Sequence, residues 1–130
     1  MATDPLFLGF DLSTQQMKAL AIDSKMNIVE ETSVNFEKDL PEFRTVGGVH
    51  KDSNNLTVTA PVHMWIKSCD LVLERLKAKG FHFGSVACIS GTGQQHGSVY
   101  WRNGAREILK NLKPGQSIFE QIKVPSPRGI

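Results

Sequence analysis

Two compact apolar runs open the chain. Leu6 to Phe10 is the first, and Met17-Lys18-Ala19-Leu20-Ala21-Ile22, largely apolar on both faces, is the second; both have the length and composition of central β-strands. The polar stretch Asp11-Leu12-Ser13-Thr14-Gln15-Gln16 between them has the length of a hairpin connection, which gathers its polar groups at one edge of a sheet. Asp23-Ser24-Lys25-Met26-Asn27 supplies the next turn, after which Ile28, Thr32, Val34 and Phe36 share one face of a third, more exposed strand. The opening is therefore predicted to be a three-stranded meander. Residues 37–58 hold Pro41, Gly47-Gly48 and Asp52-Ser53-Asn54-Asn55 with no sustained period, and read as a long loop of the kind that often carries function.

From Thr59 the period changes. Thr59 suits a cap, Pro61 a first turn, and Val62, Trp65, Ile66, Cys69, Val72, Leu73 and Leu76 follow one helical stripe that Gly80 ends. Ser85 to Ile89 reads as a strand, Gly91 to Gly97 as a glycine-rich bend, Ser98 to Trp101 as another short strand, and Asn103-Gly104 as a turn. Ala105 to Leu112 follows as a short helix that Pro114-Gly115 stops, and Lys123 to Ile130 reads as a frayed or cut tail.

Composition narrows the class. The 130 residues, 40% hydrophobic and 22% charged, fit one ordinary domain with a single core. Fifteen basic residues stand against 13 acidic ones for a net charge of +2, with no basic run, so neither nucleic acid nor an anionic membrane is expected as a partner. No apolar stretch approaches the roughly 20 residues that span a bilayer, and Met1 to Pro5 lacks a secretory pattern, which makes a cytoplasmic address the expectation. Cys69 and Cys88 form no Cys-x-x-Cys pair and read as two reduced, buried thiols; on the same view the sequon Asn55-Leu56-Thr57 carries no sugar.

Two polar clusters carry candidate chemistry. A carboxylate such as Asp11 beside Ser13, Thr14, Gln15 and Gln16 at a strand-to-strand turn is able to hold Mg2+ through water while hydroxyls and turn amides face phosphate oxygens. The same residue types also serve any tight turn, because their side chains bond the local backbone. The second cluster is Ser90-Gly91-Thr92-Gly93-Gln94-Gln95-His96-Gly97. Its third glycine falls one place too late for a dinucleotide fingerprint, and a strand-like segment follows it instead of a helix. What remains is a set of neutral donors and acceptors suited to the hydroxyls of a sugar, or a polar loop whose His96 satisfies backbone groups. His50, His63 and His82 lack metal-ligand spacing. Trp65 is assigned to the core, Tyr100 and Trp101 to core or pocket wall, and Arg44 to a solvated loop.

Taken together, Leu8-Gly9-Phe10-Asp11-Leu12-Ser13-Thr14-Gln15-Gln16 and Ser90 to Gly97, with Asp39-Leu40-Pro41-Glu42-Phe43-Arg44, Gly47-Gly48-Val49-His50 and Leu56 to Trp65 between them, resemble the FGGY carbohydrate kinases over about residues 6–122. The resemblance implies an α/β fold of the ribonuclease-H-like type shared with actin: an incomplete N-terminal lobe over 1–122, with a three-stranded meander followed by a helix and further strands, and a divergent tail over 123–130. It implies ATP and Mg2+ as cofactors and D-xylulose as the substrate phosphorylated. Asp11 would help position the metal, Ser13, Thr14 and Gln15 would line the phosphate site, and Gln94, Gln95 and His96 would bind the ketose. Many members have Gly where this chain has Ser13, and bacterial relatives often read Gln-Met-His at Gln94-Gln95-His96. The resemblance also implies that the catalytic base and the adenosine site lie outside these residues, so the chain is expected to be a fragment or truncated isoform without turnover of its own. A non-catalytic sugar- or partner-binding module is the alternative. A sheet deprived of later strands exposes an apolar edge and face, which favours aggregation.

Overall fold

In the computed structural model, residues 4–122 are described. In chain order they form β1 (Leu6–Leu12), β2 (Gln16–Ile22), β3 (Ile28–Asn35), α1 (Phe36–Asp39), a 3-10 turn at Pro41–Phe43, β4 (His50–Lys51), β5 (Val58–Thr59), α2 (Val62–Ala78), a second 3-10 turn at Phe83–Ser85, β6 (Val86–Gly93), α3 (Ala105–Lys110) and α4 (Ile118–Ile122). The main sheet has the order β3-β2-β1-β6. The first three strands are the antiparallel meander that the alternation predicts, and β6 returns parallel to β1 on its other side.

Strand alternation decides which face is buried. Leu6, Leu8, Met17, Ala19, Ala21 and Val34 turn to one face, and α2 lies over β2 and β3 there. Ala19 and Ala21 are fully buried and small, which lets the helix approach closely. Met64, Ser68, Val72 and Leu76, four residues apart in sequence, form its buried line, and Phe36 and Leu40 close the end of the core. Trp65 and Cys69 pack beside that line, as expected for Trp65, whose indole N–H is buried without a hydrogen-bond partner among the described residues. The stripe is thus rotated from the predicted one. Ser68 occupies its centre because its hydroxyl donates to the Trp65 carbonyl at 2.7 Å, which satisfies a polar group that hydropathy alone would place outside.

Other expectations are corrected. Thr59 pairs in β5 instead of capping α2, and Pro61 stands at the cap position itself. Phe36 belongs to α1, because the Asn35 side chain accepts from the Lys38 amide at 3.0 Å and starts a helix there. Residues 37–58 are not featureless; they hold the first 3-10 turn and the β4–β5 pair. Ser98 to Trp101 forms no strand, and α4 arises where no helix was expected. The Ser117 hydroxyl donates to Asp70 of α2 at 2.6 Å, and the same carboxylate accepts from the Phe119 amide at 3.3 Å, so a tertiary contact starts this five-residue helix. Cys88 is exposed, not buried, because it is level with Phe7 on the sheet face opposite α2; Cys69 is partly buried, and burial first, then the charge of Asp70, pushes its thiol up. The predicted tail lies outside the described residues.

One ionic cluster ties sheet to helix. Arg75 of α2 pairs with Asp39 at 2.9 Å and donates to the Ser33 carbonyl, while Asp39 accepts from the Asn35 amide at 2.8 Å. The Arg75 hydrogen bond, aided by the Asn35 amide, holds the Asp39 carboxyl below its ordinary value of 3.8 despite an opposing contribution from burial. Stability from this group is complete above that ordinary value and is lost as pH falls through the depressed one. Urea denaturation as a function of pH should therefore show a smaller acid-side loss in Asp39→Asn than in the parent chain. In the same assay at neutral pH, Leu76→Ala should cost about 2–5 kcal/mol through the cavity it leaves.

Candidate functional site

Because β1 and β6 are parallel, both point their carboxyl ends at the same sheet edge, the edge where open α/β sheets bind ligands. The register aligns Phe10 with Gly91, Asp11 with Thr92 and Leu12 with Gly93. One residue further, the Gln94 amide donates to the Leu12 carbonyl at 2.9 Å. The ladder thus runs through Ser90–Gly93, which the sequence alone assigned mostly to a bend, and delivers the Gln94–Gly97 loop beside the Ser13–Gln16 turn. The two polar clusters, about eighty residues apart in sequence, become neighbours.

The β1–β2 turn is tight. The Ser13 amide and hydroxyl both bond the Gln16 carbonyl, at 3.0 and 3.2 Å, so the Ser13 hydroxyl does the local work that turn chemistry favours. Thr14 and Gln15 form the exposed tip, and among the described residues their amides donate to no backbone acceptor in a turn or loop. The Gln15 carbonyl accepts from the Phe36 amide at 3.0 Å, which anchors the tip to α1. Asp11 is exposed on the face of the sheet opposite α2. Its cross-strand partner is Lys18, itself opposite Ser33, and Thr92 stands level with Asp11 on the other side, so the register sets these four polar residues in one cross-strand row.

Lys18 is the residue that sequence reasoning missed. Its signal was available, because a hairpin that pairs Leu12 with Met17 must pair Asp11 with Lys18.

In the second loop Gln94 is half-buried while Gln95 and His96 are exposed. Among the described residues the His96 ring has no hydrogen-bond partner. The other three histidines have local duties, as their spacing implied. His50 Nε2 lies 2.7 Å from the Phe43 carbonyl, His82 Nδ1 lies 2.8 Å from the Ser85 hydroxyl, and His63 packs edge-on to Phe119. Tyr100 and Trp101 are not core. With Val62, Ile66, Ile108 and Leu109 they border an apolar cavity of about 260 Å3 next to the loop. No group of three or more His, Cys, Asp or Glu side chains among the described residues is arranged to enclose a metal ion, and no described helix is long and apolar enough to cross a membrane.

No family model matches the chain. Individual relatives do. It is 52% identical over 116 residues to a xylulose kinase of Rattus norvegicus, covering 89% of this chain and 22% of the relative. It is 46% identical over 121 residues to xylulose kinase 2 of Arabidopsis thaliana, covering 92% and 22%. Among solved structures it is similar to a "xyloylose kinase" from Brucella ovis, with 27% identity and a TM-score of 0.56 over 70% of this chain and 17% of that one. The chain spans about a fifth of the length of the curated relatives it matches. Its mixed α/β architecture, with the sheet order β3-β2-β1-β6, is similar to part of the fold of that sugar kinase.

The Gln94–Leu12 hydrogen bond gives the site its first test. Native-state hydrogen exchange should find the Gln94 amide protected on the order of tenfold or more relative to those of Gln95 and His96, because only the first is bound into the ladder.

Proposed function

We propose that these residues form the phosphate- and sugar-contacting edge of an ATP-dependent kinase that transfers a phosphoryl group to D-xylulose. The observation that carries this reading is the parallel β1–β6 register, which brings Asp11–Gln16 and Gln94–Gly97 to one edge. A phosphoryl transfer needs its donor and acceptor side by side and is catalysed mostly by positioning and charge neutralisation. Two separate loops on adjacent parallel strands supply that arrangement.

Asp11 would hold Mg2+, which fits a single exposed carboxylate because this ion keeps several waters and takes its other ligands from the substrate phosphates. Bound there, ATP and Mg2+ supply the transferable group and neutralise its charge. The Thr14 and Gln15 amides at the tip of the turn, which among the described residues donate to no backbone acceptor in a turn or loop, suit phosphate oxygens. Lys18, opposite Asp11 in the β1–β2 register, adds a positive charge to the same cross-strand row. Gln94, Gln95 and the exposed His96 ring offer neutral donors and acceptors to the ketose hydroxyls. The base that takes the proton from the attacking hydroxyl must lie within hydrogen-bond reach of it. The resemblance to sugar kinases places that base outside these residues, so the 130 residues by themselves should form no D-xylulose 5-phosphate from ATP and D-xylulose in a coupled assay.

Binding is the sharper test. In amide NMR spectra of the labelled chain, D-xylulose should shift Gln94 to Gly97, and ADP with Mg2+ should shift Ser13 to Gln15. His96→Ala should weaken the ketose response at least about tenfold, the loss of one good hydrogen bond, and leave the nucleotide response intact; Asp11→Asn should do the reverse. A folded chain indifferent to both ligands would overturn the kinase reading in favour of a non-catalytic partner-binding module.

A further inference from the structure

The phosphate turn has a support that neither polar cluster contains. Val46 and Val49 bond each other's backbone at 3.0 and 3.3 Å and enclose Gly47 and Gly48 at φ of +63° and +79°, a two-residue hairpin that needs positive φ at both central positions. Thr45 seats one end in the core, with its hydroxyl 3.8 Å from the Met64 sulfur, and Glu37 of α1 accepts from the Gly47 amide. Gly48 is buried against the β1–β2 turn. A Cβ on Gly48 would lie 1.9 Å from the Thr14 carbonyl oxygen and 3.4 Å from the Gln15 Cα, and these are backbone atoms that cannot swing aside. A Cβ on Gly47 would meet nothing within 4 Å.

We infer that Gly48 is a positioning residue for the phosphate site: the Val46–Val49 hairpin presses on the tip of the β1–β2 turn and sets where the Thr14 and Gln15 amides stand. The inference rests on the reading of that tip as the phosphate contact. Two supports grip the tip, the Phe36 amide on the Gln15 carbonyl and the bare α-carbon of Gly48 on Thr14. Any side chain at position 48 must push the tip away. Loss of one good hydrogen bond to a charged phosphate oxygen costs about tenfold or more in affinity, so at least a tenfold effect on nucleotide affinity is expected.

Gly80 provides the control, because it has the same φ of +79° and a Cβ added there would meet nothing within 4 Å. Gly48→Ala and Gly80→Ala therefore share the backbone strain and differ in the contact. Without ligand, Gly48→Ala should move the amide resonances of Ser13 to Gln16, whereas Gly80→Ala should leave them in place. With ADP and Mg2+, Gly48→Ala should bind at least about tenfold more weakly while the D-xylulose response at Gln94 to Gly97 is unchanged; a merely structural lesion would weaken both. Should Gly48→Ala fail to fold, Glu37→Ala, which loosens the hairpin without adding bulk, should move the same resonances. Unmoved Ser13 to Gln16 resonances in whichever of these two variants folds overturn the positioning inference alone. A folded parent chain that ignores ADP with Mg2+ overturns the reading of the tip as a phosphate contact, on which the inference rests.

Discussion

The parallel pairing of β1 with β6 is the constraint on which the rest of the structure depends. Antiparallel neighbours need only a turn, but parallel neighbours require a crossover of a dozen residues or more, usually with a helix. Here α2 supplies the crossover. Its burial against β2 and β3 is what returns the chain to the far side of β1. Once the register is fixed, a polar loop after β6 has nowhere to emerge except beside the turn after β1. The site is thus a consequence of sheet pairing, and it is held by backbone hydrogen bonds that are indifferent to the side chains which use it.

Packing beneath the sheet serves the same end. Fully buried Ala19 and Ala21 keep the helix close, and Arg75 crosses the gap between α2 and the end of β3 to reach Asp39 and the Ser33 carbonyl. The pair is partly exposed, so its contribution to stability is modest; its greater role is to join β3, α1 and α2 at one point. From that point α1 reaches the β1–β2 turn through the Phe36 amide and the Val46–Val49 hairpin through Glu37. A charged cluster remote from any ligand thus shares a rigid support with the turn.

The meander was legible because Leu6–Phe10 and Met17–Ile22 are apolar runs bounded by turn residues, a pattern that few other folds satisfy. The second half of β6 was not, since Ser90-Gly91-Thr92-Gly93 has poor strand propensity and is extended only because β1 offers it a ladder. The buried line of α2 was misread at Ser68 for a related reason: the hydroxyl is satisfied inside the helix, where a hydropathy pattern cannot see it. The helix α4 was invisible because five residues have little intrinsic tendency to be helical and Asp70, far away in sequence, supplies its start. For the site, the polar clusters were evident, and the hairpin pairing implied Lys18 opposite Asp11, but the adjacency of the clusters and the contact made by Gly48 require the fold.

The two cysteines, taken together, have one more consequence. Cys69 is partly buried in α2 with its thiol pushed up by burial, whereas Cys88 is exposed on β6, on the sheet face that α2 leaves uncovered and beside Phe7 and Ser90. Thiolates, not thiols, react with alkylating reagents, so the buried position is disfavoured twice, by access and by ionisation. The chain therefore carries a native attachment point on its open sheet face, where a spin label or fluorophore would report the arrival of any surface that covers that face without a single engineered substitution.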